Sequence, residues 1–155
     1  MLKYYNYDIV FAEIPTEVTL AINITNCPNR CVGCHSAYLQ QDIGVELNEE
    51  ELRRIIGSYV NAITCVCFMG GDAEPLAVQN LSLWVRREFP KLKTAWYSGK
   101  KAVAEGVAVT SYNYVKLGGY DASKGPLNNP NTNQRLYRVE ESGELSDITN
   151  LFWKK

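Results

Sequence analysis

The sequence predicts an α/β fold, a partial (incomplete) βα barrel built on a parallel sheet, and three observations predict it. Strand-like and helix-like patterns alternate from Val18 to Tyr97. One strand candidate, Ile63 to Met69, is apolar without interruption, as in a strand covered on both faces by βαβ crossovers. The chain has 155 residues, whereas a complete eight-unit barrel takes about 250, so only part of one is available.

The elements follow in order. Val18, Leu20, Ile22 and Ile24 alternate with Thr19, Ala21, Asn23 and Thr25, the period of a strand, which runs into Asn26-Cys27-Pro28. Asn48 with Glu51 reads as a helix N-cap and its reciprocal acid. Leu52, Ile55, Ile56, Tyr59 and Val60 then supply an apolar face to a helix from about Glu49 to Val60. After the buried strand come Gly70-Gly71-Asp72 and a second helix carrying Leu76, Leu81, Trp84, Val85 and Phe89, which stops at Pro90. Thr94 to Tyr97 is a short strand, and Val107 to Val109, Tyr112 to Leu117 and Arg135 to Val139 all have strand character. Asp121 to Asn133, rich in Asn, Gly and Pro, reads as a loop. With no repeat, low-complexity tract or linker-like change in composition, residues 1–155 are expected to form a single domain.

Charge and hydropathy narrow the function classes. Sixteen basic against seventeen acidic residues leave a net charge of −1, too balanced for a polyphosphate-binding surface, so nucleic acid is not an expected partner. No segment approaches the length of a membrane span. Met1 to Ile14 interrupts its apolar residues with Lys3, Asp8 and Glu13, unlike a signal-peptide core. The expected compartment is the cytoplasm, and the five cysteines, an odd number in a reducing compartment, argue against a disulfide framework.

Three of the five thiols fall in Cys27-Pro-Asn-Arg-Cys31-Val-Gly-Cys34, on the loop that leaves the first predicted strand. A [4Fe-4S] cluster takes one thiolate per iron, so three closely spaced cysteines leave one iron open to a substrate. Zinc is the chemical competitor, taking the three thiolates with His35, the only histidine, in a binding module without catalysis. Zinc ligands usually come as two separated pairs, and His35 directly after Cys34 is poorly placed to reach the same ion, so the spacing favours iron and sulfur. Cys65 and Cys67 point to one face of a buried strand and read as core residues; as a source of a fourth ligand they would make the protein a plain electron carrier. Arg30, inside the cysteine loop, either raises the potential of a bound cluster or faces solvent.

The C-x-x-x-C-x-x-C loop after one strand and the Gly-Gly-acid turn after the next resemble the radical S-adenosylmethionine superfamily. Most members carry an aromatic residue before the third cysteine, where this chain has Gly33. The chain resembles the small glycyl-radical activases of anaerobic ribonucleotide reductase more closely, in Val32-Gly33-Cys34-His35 and then, in the same order, in Gly70-Gly71-Asp72, Tyr97-Ser98-Gly99, Lys116-Leu117-Gly118-Gly119-Tyr120 and Thr132-Asn133-Gln134-Arg135. Its length also agrees with theirs.

The resemblance implies a [4Fe-4S] cluster on Cys27, Cys31 and Cys34 and S-adenosyl-L-methionine as cofactor. It also implies an electron-donor protein and the reductase itself as protein substrate. Gly70 and Gly71 would let the backbone approach the ligand, and Asp72 would accept from its amino group. Gly33 and His35 are candidates for contacts to adenine. Alternative targets are a small molecule or another glycyl-radical enzyme. A minimal sheet leaves little chain to enclose a small substrate, which favours a protein partner. The loop Asp121 to Asn133 and the aromatic ends Tyr4 to Tyr7 and Phe152-Trp153 are candidate contact surfaces.

Overall fold

The computed structural model describes residues 2–26, 41–119, 121 and 123–153. Among the described residues eight strands form one sheet: β1 (Lys3–Val10), β2 (Thr19–Ile24), β3 (Val45–Glu46), β4 (Cys65–Met69), β5 (Lys93–Tyr97), β6 (Tyr114–Leu117), β7 (Arg135–Val139) and β8 (Leu145–Asp147). The spatial order is β3-β1-β2-β4-β5-β6-β7-β8. The four central strands, β2, β4, β5 and β6, run parallel, and antiparallel pairs flank them on both sides. The sheet is therefore mixed, and parallel only where crossovers return the chain to the same edge.

Two helices, α1 (Glu49–Tyr59) and α2 (Pro75–Glu88), make the crossovers into β4 and β5. Helix α1 begins as its sequence predicts, with the Asn48 side chain accepting from the Glu51 backbone at 2.9 Å. The Glu51 carboxylate turns away from the cap, however, and takes hydrogen bonds from Arg54 and the Tyr4 hydroxyl. These contacts hold its carboxyl down at about 2 and tie α1 to the first strand. In α2 the buried face is Val78, Leu81, Ser82, Trp84 and Val85, while Leu76 stays half exposed.

Alternation across the strands sorts the core into two sides. Leu20, Ile22, Ile24, Val66, Phe68, Trp96, Val115 and Leu117 meet the helices. On the opposite face Cys65 and Cys67 pack with Ile14, Ala95, Tyr114, Leu136 and Ile148. Both thiols are fully buried, which pushes Cys65 up to about 12 and Cys67 well above the ordinary thiol value. Their expected role as core residues is what the packing displays.

At the amino ends of the parallel strands, the buried Glu17 carboxylate accepts from Lys93 Nζ (2.8 Å), Thr64 Oγ1 (2.7 Å) and the Tyr114 hydroxyl (2.7 Å). It thereby fastens the segment between β1 and β2 across the face opposite α1 and α2.

Val107 to Val109 is not a strand. It belongs to the β5–β6 crossover, which ends in a 3₁₀ turn at Val109–Ser111. Val103, Ala104 and Val107 are apolar because they cover the sheet beside α2. Asp121 to Asn133 consists, among its described residues, of successive turns, with Lys124 and Gly125 donating to the Asp121 carbonyl and Thr132 closing onto Gly125. The aromatic ends are largely internal: Tyr4 is buried, Tyr7 packs edge-on against Tyr59, and the Trp153 indole donates to the Leu127 carbonyl. Among the aromatic residues of these ends only Tyr5 is exposed. No helix among the described residues is long and apolar enough to cross a membrane.

Candidate functional site at the carboxyl edge of the parallel strands

Cys27, Cys31, Cys34, Gly33, His35 and Arg30 lie outside the described residues. The two ends of their segment are described. The Asn26 amide donates to the Gln41 carbonyl at 3.1 Å, so the chain leaves and re-enters the fold at one point, the carboxyl end of β2. Asn26, at a φ of 59°, also reaches Asp42 with its side-chain amide at 3.1 Å, and Lys3 pairs with the same carboxylate at 2.8 Å. These two donors hold the Asp42 carboxyl below its ordinary range. The cysteine segment thus stands on a hydrogen-bonded stem.

Strand β4 is the parallel neighbour of β2, and Gly70-Gly71-Asp72 follows it directly. Both glycines adopt positive φ, 113° and 92°, a region that glycine alone enters freely. A Cβ on Gly70 would come within 3.3 Å of the Ile24 carbonyl oxygen, and one on Gly71 within 2.4 Å of Val78 Cγ2 and 3.5 Å of Ile24 Cδ1. The absent side chains let the turn lie against Ile24, three positions before Cys27 in the sequence. Sequence reasoning assigned the glycines to ligand approach; the packing adds a requirement that holds whether or not a ligand binds.

Asp72 neither caps α2 nor faces open solvent. The N-cap position belongs to Glu74, followed by Pro75. The Asp72 carboxylate instead takes a hydrogen bond from Ser98 Oγ at 2.6 Å on one oxygen and from the Gly99 amide at 2.8 Å on the other. Beneath it the Trp96 indole donates to the Gly70 carbonyl at 2.8 Å and stacks on Tyr112, centroids 5.6 Å apart. The turn after β4 is therefore held from β5 by both backbone and side chains.

The same edge continues to β6. Lys116 is buried, donates to the Gly118 carbonyl (2.8 Å) and Gln134 Oε1 (3.2 Å), and lies over the Tyr97 ring at 5.3 Å. Asn133 donates to the Gly119 carbonyl at 3.0 Å, and a Cβ on Gly118 would come within 3.1 Å of Gln134 Cα. The Lys-Leu-Gly-Gly and Thr-Asn-Gln-Arg stretches, far apart in the sequence, are packed together. Ser98 and Lys116 entered the sequence reading only inside the motifs Tyr97-Ser98-Gly99 and Lys116-Leu117-Gly118-Gly119-Tyr120, and Trp96 only inside the strand Thr94 to Tyr97, with no role given to any of the three.

Among the described residues no group of three or more His, Cys, Asp or Glu side chains could hold a metal. Metal-ligating capacity would therefore come from the Cys27–Cys34 segment, whose three thiolates are the donor chemistry of an iron-sulfur cluster. No family model matches the chain, and neither a curated protein nor a solved structure matches it.

Proposed function

We propose that the chain is a radical S-adenosylmethionine enzyme, a glycyl-radical activase whose protein substrate is an anaerobic ribonucleotide reductase. One observation carries the reading: the closed stem of the three-cysteine segment and the Gly70-Gly71-Asp72 turn sit side by side at the carboxyl edge of β2 and β4. Loops at that edge of a parallel α/β sheet are where such folds gather their sites. In this reading the parallel strands are the core of an incomplete βα barrel, and the enzyme works in the cytoplasm.

Cys27, Cys31 and Cys34 would hold a [4Fe-4S] cluster, three thiolates for four irons. Such a cluster would supply the one-electron reduction of the sulfonium of S-adenosylmethionine that makes hydrogen-atom abstraction from a glycine α carbon possible. The chain's own residues bind and orient. Asp72, its carboxylate oriented by Ser98 and Gly99, accepts from the ammonium group. Gly70 and Gly71 keep the backbone free of side chains beside it, and Gly33 and His35 contact the adenine. A large partner would close the open side and exclude water and oxygen, and the electron would come from an electron-donor protein.

Anaerobic incubation with dithionite and S-adenosylmethionine, with and without the reductase, tests the reading. Release of 5'-deoxyadenosine is expected, together with its loss when Cys27, Cys31 or Cys34 is replaced by Ala. A colourless, zinc-loaded protein that releases none would refute it.

A further inference from the structure

The Asp72 carboxylate is held by two donors from one dipeptide, each on a different oxygen. A single hydrogen bond would leave the carboxylate free to rotate about its bond to Cβ; two from a rigid base fix its plane. That base is rigid because Ser98 is only 1% exposed and is bonded on every side. Its hydroxyl, while donating to Asp72, accepts from the Lys100 amide at 3.0 Å, and its own amide donates to the Lys116 carbonyl at 2.9 Å. The Lys100 carbonyl in turn receives the Gly118 amide at 2.7 Å. A continuous chain of hydrogen bonds thus links the loops after β4, β5 and β6, and the Ser98 hydroxyl joins Asp72 to it beside the Gly99 amide.

We propose that Ser98 is a positioning residue: almost fully buried, it aims the Asp72 carboxylate at the ammonium group of a zwitterionic amino-acid ligand. The proposal rests on the S-adenosylmethionine reading above and adds a residue to it. It requires that loss of the Ser98 hydroxyl weaken ligand capture and leave the reaction of the captured ligand unchanged, because Ser98 touches no reacting atom.

The test uses the anaerobically reconstituted holoprotein and S-adenosylmethionine as probe, with affinity read by equilibrium dialysis under non-reducing conditions. Removing one charge-assisted hydrogen bond from the support of the carboxylate should weaken binding by about five- to tenfold in Ser98→Ala. The rate of 5'-deoxyadenosine release at saturating ligand should stay at the native value. Asp72→Asn should bind at least as weakly, and the double variant no more weakly than Asp72→Asn alone, since both changes break one device. Amide exchange at Gly99 should accelerate in Asp72→Asn, and circular dichroism should show the fold retained.

Native affinity in Ser98→Ala, fully additive losses in the double variant, or a fall in turnover with unchanged affinity would each overturn the proposal. Failure of the native holoprotein to bind S-adenosylmethionine would instead remove the functional reading and with it the ligand named here. Exchange at Gly99 would still report whether the carboxylate holds the loop, which distinguishes the two failures.

Discussion

Replacing Gly71 by Ala should destabilise the fold sharply, for two reasons that can be separated. The residue sits at a φ of 92°, where an L side chain is strained by about 1–3 kcal/mol. Its new methyl would lie 2.4 Å from Val78 Cγ2. Val78 is fully buried on α2, and a β-branched side chain in a helix has essentially one χ1 rotamer, so the helix itself must give way. Overpacking of this kind costs roughly 1–3 kcal/mol. The sum, about 2–6 kcal/mol, should lower the Tm by roughly 5–20 °C in a chain of this size. Urea unfolding of Gly71→Ala, Val78→Ala and the double variant checks the division. In the Val78→Ala background the substitution should cost only the backbone strain of about 1–3 kcal/mol. A cost below about 0.5 kcal/mol in the native background, the range of ordinary surface changes, would refute the reasoning. So would an undiminished cost once Val78 is shortened.

Further predictions concern buried polar groups. Burial pushes the Glu17 carboxyl up, but the hydrogen bonds from Lys93, Thr64 and Tyr114, together with the Lys93 charge, outweigh it and leave the pKa below its ordinary 4.5. A carboxyl depressed in the folded state stabilises above the unfolded pKa, and that contribution is lost as pH falls through the folded value. Glu17→Gln should therefore cost roughly 1.5–3 kcal/mol at neutral pH, and its deficit should narrow in urea titrations carried down through pH 4.5. A deficit independent of pH would contradict this. Cys65 and Cys67 should resist iodoacetamide at pH 8 in the folded protein and react in urea, and alanine at either position should leave iron content unchanged. Trp96→Phe keeps the stacking on Tyr112 but removes the donor to the Gly70 carbonyl, so it should cost about 1 kcal/mol and speed amide exchange in the Gly70–Asp72 turn.

The central elements were legible because their apolar residues follow one period. Strands β2 and β4 and both helices lie within two residues of their predicted bounds. Strand β1 was not legible, for a physical reason. A bulge between Tyr4 and Asn6 shifts the register, so Tyr4 and Tyr7 both pack on the helix-facing core although they are three apart, and the period of two disappears. The crossover before β6 misled in the other direction, since apolar Val103 and Val107 cover the sheet without joining it. At the candidate site the Gly-Gly-acid turn was readable as a turn. What Asp72 does there was not, because its partners Ser98 and Gly99 lie 26 and 27 residues further along and meet it only through the parallel pairing of β4 with β5.

The proposed chemistry depends on an iron-sulfur cluster held by three protein thiolates, with one iron left to the ligand. Mössbauer spectroscopy of isotopically enriched, oxygen-free protein, recorded before and after addition of S-adenosylmethionine, tests that most directly. The prediction is a [4Fe-4S] spectrum in which one iron of the cluster changes its parameters on addition of the ligand and the other three do not. A cluster whose irons are all unaffected, or a preparation that retains no iron, would contradict it.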